Sequence, residues 1–254
     1  MALHCYLDAG GTKDHLSLSC GGWIATEENW QRFHADWTEV MAAEGVRELH
    51  MSKLAHFQGE YRPWKGDEDR RIRFIKKLVA IITKYTIRHV VTTLHLDIYK
   101  RLNEQATVEE RLGSPYVLTM LSAILMAKDW HEKHAPSETM SVFIEHGDED
   151  QGLLLKILKR FEFPYPLAVL PKRQKSGSGV QYITPFQAAD FLAYEFYKGV
   201  KEMRSTGQHE IKGRKSLLAL VPVGPDEYSR VIDIHALAVY VKAFGVTRRA
   251  PNRA

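Results

Sequence analysis

The sequence predicts an α/β fold in which a mixed sheet carries helices on its faces. Three observations lead there. The chain opens on two strand-forming runs joined by a glycine-bearing turn, it then alternates strand-like with helix-like segments, and no internal repeat or long linker interrupts the alternation. With 254 residues, 44% apolar and 26% charged, it is long enough and apolar enough for one large core.

Residues 3–8, "LHCYLD", and 16–24, "LSLSCGGWI", flank the turn "AGGTKDH" and read as an antiparallel hairpin. Cys5 and Cys20 fall on its two arms as possible cross-strand neighbours, and in a reducing compartment both are expected as buried thiols. Residues 28–44 place Trp30, Phe33, Trp37, Val40 and Met41 at helical spacing. Segment 47–66 has no sustained period and reads as an irregular connector. It leads into a second helix with an acidic start and Ile72, Ile75, Leu78, Val79 and Ile82 along it. A β-branched strand (87–96) and a long helix opened by Ser114 and Pro115 follow. The strand "MSVFIEHG" (140–147), the helix at 148–162, the strand "LAVLPKR" and the helix "TPFQAADFLAYEFYKGV" complete the alternation. Beyond residue 206 the pattern weakens to a strand-like "LLALVPV" and a short helix around 235–244.

Acids interrupt this pattern where an apolar run would otherwise continue. Asp8 and Glu145 each close a strand, and a buried lone carboxylate costs several kcal/mol unless a partner or ion meets it. Asp190 stands six residues past Thr184, too far into its helix to cap it, and Ala188, Ala189 and Ala193 leave the helix thin around it. If the first and fourth strands are adjacent and parallel, Asp8 and Glu145 meet at their ends and Asp190 arrives from the helix. Carboxylates about 4 Å apart repel by roughly 4 kcal/mol at an effective dielectric near 20, so the group must take up protons or a cation. Hard oxygen donors favour Mg²⁺ or Mn²⁺.

Each acid also has an ordinary reading. Asp8 beside Gly10 and Gly11 suits a turn, Glu145 suits a solvated strand end, and Asp148 suits a helix cap answered by Gln151. Gln187 shares the face of Asp190 but equally completes a capping box with Thr184. His131 and His134 sit at a polar helix end and are expected on the surface. His50, flanked by Glu48 and Lys53 in the irregular segment, is a second-tier member of the acidic site. The formal charge is only +4, yet basic residues cluster at 171–175, 212–215 and in the tail "TRRAPNRA", which permits a polyanionic partner. No run of about 18 apolar residues is available to span a bilayer, and the first residues lead straight into a strand, without the zones of a signal peptide. A cytoplasmic protein without a membrane partner is expected.

The succession "YLDAGG", "GGWIATEENW", "ELHMSKL", "VFIEHGDED" and "QAADFLAYEFY" resembles the family described as domain of unknown function 3800, assigned to the RNase H-like (retroviral integrase) superfamily. The likeness covers roughly residues 4–200. It implies a five-stranded sheet of order 3-2-1-4-5 with strand 2 antiparallel, an RNase H-like domain over 1–206 with a helical insert at about 28–84, and an appendage at 207–254. It further implies that Asp8, Glu145 and Asp190 hold divalent metal, and the residue reading adds Asp148 and His50 as catalytic candidates beside them. Phosphodiester hydrolysis of DNA or RNA is the implied activity, by a scheme in which two ions about 3.5–4 Å apart activate water and stabilise the leaving oxygen. Lys172, Arg173, Lys175 and Gln187 are the expected substrate contacts. Ala9 stands where that family favours Glu, so a non-catalytic nucleic-acid or protein-binding module is the alternative. "DAGGTK" also resembles the phosphate loop of sugar kinases on the actin-like fold, but the second Asp-x-Gly loop and the adenosine segment of that family are absent from this sequence.

Overall fold

The computed structural model describes residues 1–11, 16–148, 150–176, 179–206, 215–221 and 228–232, with backbone alone at 175, 176 and 179. In chain order the elements are β1 (Ala2–Gly10), β2 (Ser17–Thr26), α1 (Glu27–Ala43), α2 (Met51–Ala55), a 3-10 turn (Gly59–Trp64), α3 (Glu68–Tyr85), β3 (Arg88–His95), α4 (Leu96–Gln105), α5 (Val108–Leu112) and α6 (Pro115–His134). They continue with β4 (Thr139–Glu145), α7 (Gln151–Arg160), β5 (Leu167–Leu170), β6 (Arg173–Ser176), β7 (Gly179–Tyr182), α8 (Thr184–Thr206), α9 (Lys215–Leu220) and β8 (Ser229–Ile232).

The main sheet has six strands in the order β5-β4-β1-β2-β3-β8. β2 runs antiparallel to both neighbours, while β1 with β4, β4 with β5, and β3 with β8 are parallel. The expected order of the first five strands is therefore present, and the expected count is one short. β8 adds to the free edge of β3 from a stretch too short to show a period. The strand-like "LLALVPV" is instead helical through Leu220, and the helix expected around 235–244 lies outside the described residues. β6 and β7 form a separate two-stranded hairpin that begins within the basic cluster at 171–175.

Side chains divide by strand parity into two cores. Leu3, Cys5 and Leu7 of β1 face α6, where Val117, Met120, Leu121 and Ile124 meet them. Tyr6 faces the opposite way and packs on Trp30, Phe143 and Phe186. That second core holds α8, α1 and α3. α1 starts where the Thr26 side chain accepts a hydrogen bond from Asn29 N at 3.1 Å, and α3 where Asp67 accepts from Arg70 N at 2.9 Å. The buried face of α3 is Phe74, Leu78, Ile81, Ile82 and Tyr85, so Ile72 lies exposed, against the sequence reading. The Nε1 groups of Trp23, Trp30 and Trp37 donate to Ala188 O, His4 O and Gln187 Oε1 at 2.9–3.0 Å, which ties α8 and α1 to the sheet and to each other.

α8 lies close against β1 and β2 because small residues face each other. A Cβ added at Gly10 would stand 2.9 Å from the carbonyl carbon of Ala193, and one at Gly22 would overlap the Tyr6 carbonyl and reach 3.2 Å from the Cβ of Ala189. Two expectations about cysteine and histidine fail here. Cys5 pairs with Ile24 and Cys20 with Ala9, so the thiols are not cross-strand neighbours, and both are buried and free. His131 is buried, its ring nitrogens bonded to Tyr165 Oη and Glu138 O, because α6 turns that face under the β4–β5 end of the sheet. Among the described residues no helix is long and apolar enough to cross a membrane.

Candidate active site

The parallel pairing of β1 with β4 and of β4 with β5 sends three chain segments out at the same sheet end, the position at which α/β sheets form crevices. Asp8 is in the last turn of pleat of β1, opposite Gly21, and the strand runs two residues beyond it. Glu145 ends β4. Lys172 follows β5, its carbonyl held by Ile183 N at 3.0 Å, and its side chain turns inward among the acids. The Lys172 ammonium stands 3.4 Å from Asp8 Oδ2 and 3.0 Å from Glu145 Oε2. Asp8 Oδ1 also accepts from Ala9 N at 2.7 Å.

α8 supplies Asp190 from above the sheet. Its Oδ2 accepts from Met51 N at 2.8 Å, and His50 Nδ1 lies 3.7 Å from the same oxygen. Asp8 and Asp190 are each only 6% exposed. The irregular connector is set in place by Gln187, whose buried Oε1 accepts from both Leu49 N at 2.8 Å and Trp37 Nε1 at 2.9 Å. Gln187 is thus a positioning residue one turn from Asp190, neither the capping-box partner of Thr184 nor a group in the acid cluster. Asp148 is not a cap either. The N-cap of α7 is Asp150, with φ 64°, and Gln151 donates to Glu145 O, leaving Asp148 half-buried beside the cluster.

The electrostatics follow from one ammonium among four carboxylates. Burial raises the pKa of Asp8, Lys172 opposes the rise and Asp190 adds to it. Burial and then the charge of Asp8 push Glu145 up to about 8, and the same two causes push Asp148 up to about 7. Asp190 goes the other way. Burial works against its charge, but His50, Lys172 and the Met51 N–H hold it below the usual carboxylate range. Burial likewise works against the Lys172 ammonium, yet Asp8, Asp190 and Glu145 raise its pKa and keep it charged.

Another expected contact lies elsewhere. Arg173 points away from Lys172 and pairs with Glu48 Oε2 at 2.8 Å, and the side chain of Lys175 lies outside the described residues, as do residues 212–214 and the basic tail. A cavity of about 260 Å³ beside His50 is lined by Arg47, Glu48, Lys53, Arg173 and Tyr182, giving the cluster a mixed-charge approach. The sequence reading put Lys172 on a phosphate-facing surface and missed its place among the acids. The available signal was its position directly after a strand parallel to β4.

The donors fit a hard divalent ion in kind: all are carboxylate oxygens, and Glu145 Oε2 is buried without a well-directed hydrogen bond. In arrangement, no three Asp, Glu, His or Cys side chains among the described residues already form a metal-binding group, and the cation among the acids is Lys172. The chain matches no family model, no curated protein and no solved structure.

Proposed function

We propose that this protein is a divalent-cation-dependent nuclease of RNase H-like type, hydrolysing phosphodiester bonds in DNA or RNA. The observation that carries the reading is the meeting of Asp8 and Glu145, from β1 and β4, on one Lys172 ammonium, with Asp148 of the loop after β4 and Asp190 of α8 near enough to feel its charge. Four acids facing one fixed cation leave negative charge that only protons or added cations can neutralise. Mg²⁺ or Mn²⁺ held by Asp8, Glu145 and Asp190 would supply activation of water and neutralisation of charge on the departing oxygen.

The chain's own groups would do the rest. His50 and the Met51 N–H orient Asp190, while Gln187 fixes the connector that carries them. Asp148, with a pKa near neutrality, suits proton exchange with water at the edge of the cluster. Arg47, Lys53 and Arg173 around the adjoining cavity suit a phosphate backbone, with Tyr182 as a surface for a base to stack on.

The test is cleavage of single- and double-stranded DNA and RNA in Mg²⁺ or Mn²⁺, with an Asp190→Asn control and binding measured against salt. Metal-dependent cleavage lost in the control supports the nuclease. The ion pairs of Lys172 favour a second reading, a binding module of the same architecture without turnover. Salt-dependent binding without cleavage at any metal concentration would support that reading instead.

A further inference from the structure

We propose that Lys172 is a displaceable internal counter-ion: its ammonium holds the acid cluster together in the metal-free protein and is driven out when a divalent cation binds Asp8 and Glu145. This rests on the metal-dependent reading of the same site. It adds a residue that regulates loading, where the sequence had suggested only a surface contact for phosphate.

The geometry points this way through three observations. The ammonium is within 3.4 Å of Asp8 Oδ2 and 3.0 Å of Glu145 Oε2, the oxygens that an ion between β1 and β4 would take. Glu145 Oε2 is buried, and the ammonium 3.0 Å away is the cation that meets it. Lys172 also sits on a short connection between β5 and the β6–β7 hairpin, on a flexible four-carbon stem whose side chain is 17% exposed. A lysine built that way can swing outward without unfolding a helix or strand.

An ammonium and a divalent ion cannot both occupy one pair of carboxylates, so each weakens the other's hold by the same factor. The displaced ammonium would then lie at the mouth of the site, where a phosphate would meet it. Lys172 would thereby release the acids to the ion and offer its charge to the substrate in one movement.

Mn²⁺ affinity of wild type and Lys172→Met, measured calorimetrically at pH 8.5 to limit proton competition, tests the idea. The expected result is Mn²⁺ binding about tenfold tighter or more in the variant, whose metal-free melting temperature is lower than wild type. Equal or weaker Mn²⁺ binding by Lys172→Met, with wild type binding normally, overturns the counter-ion role and leaves the metal reading standing. No Mn²⁺ binding by either protein overturns both. Should the variant not fold, acylation of wild-type Lys172 by an amine-reactive reagent, read by peptide mass spectrometry, serves instead. Labelling should rise severalfold on adding Mn²⁺, and unchanged labelling under a Mn²⁺-induced rise in melting temperature overturns the proposal.

Discussion

Two groups of opposite charges are built from the same residue types with opposite balance. At the end of α1, Glu44 is met by two cations, Lys77 Nζ at 2.8 Å and Arg70 Nε at 3.2 Å, and Arg70 also reaches the Glu44 carbonyl. Hydrogen bonding by Lys77 leads the causes that hold Glu44 below the usual carboxylate range. At the sheet end a single Lys172 faces Asp8, Glu145, Asp148 and Asp190, and three of those acids are raised. The first group is saturated and joins α1 to α3. The second is short of positive charge, a balance common at functional sites.

The largest contrast should appear in activity. Asp190→Asn is expected to bring metal-dependent cleavage to background and shrink the Mn²⁺-induced rise in melting temperature, whereas Glu44→Gln leaves both unchanged. Nuclease assays beside melting curves with and without Mn²⁺ check this. An Asp190→Asn protein that cleaves normally would make the two charge groups alike in kind.

The next effect is on the platform beneath the acids. Gly22→Ala puts a methyl group into the Tyr6 carbonyl and against Ala189, forcing β1, β2 and α8 apart, at an expected cost of about 3 kcal/mol or more. Denaturant unfolding measures it. A cost under about 1 kcal/mol would mean that α8 has room to move and that Asp190 is not rigidly delivered.

Proton linkage sharpens the comparison further. Glu145 and Asp148, raised to about 8 and about 7, hold protons in the folded state that the unfolded chain releases at ordinary carboxylate pKa values. Their contribution to stability is therefore greatest in acid and is lost as pH rises from about 4 to 8. Glu44 has the opposite sign: its depressed pKa stabilises the fold above the ordinary carboxylate range, and that contribution disappears as pH falls through the folded value. Metal-free melting at pH 6 and pH 8.5 should show the fall, and Glu145→Gln should flatten it.

The smallest effect is Glu44→Gln itself, expected to cost about 1–2 kcal/mol with no dependence on Mn²⁺, because Lys77 and Arg70 keep partial access to water. Urea denaturation with and without Mn²⁺ reads it. A Mn²⁺-dependent cost would place a second ion at α1.

What the sequence determined by itself is whatever depends on near neighbours along the chain. The alternation of Leu3, Cys5 and Leu7 specifies β1, the spacing of Trp30, Phe33 and Trp37 specifies α1, and Asp8, Glu145 and Asp190 stand out as acids that break apolar runs, Asp190 most of all because no cap explains it. Local pattern also misled. "DEDQ" resembles a cap, but Asp150 holds that position and Gln151 turns back to the β4 end; "PKRQK" reads as one basic cluster facing a substrate, but Lys172 and Arg173 diverge to different acids. The short β8 has too few residues to show a period and is a strand only because β3 offers it an edge. Which charge meets which was left to the tertiary structure. Lys172 and Asp8 are 164 positions apart, and a Coulomb interaction depends on distance through space, so their pairing exists only once parallel strands bring both to the same sheet end.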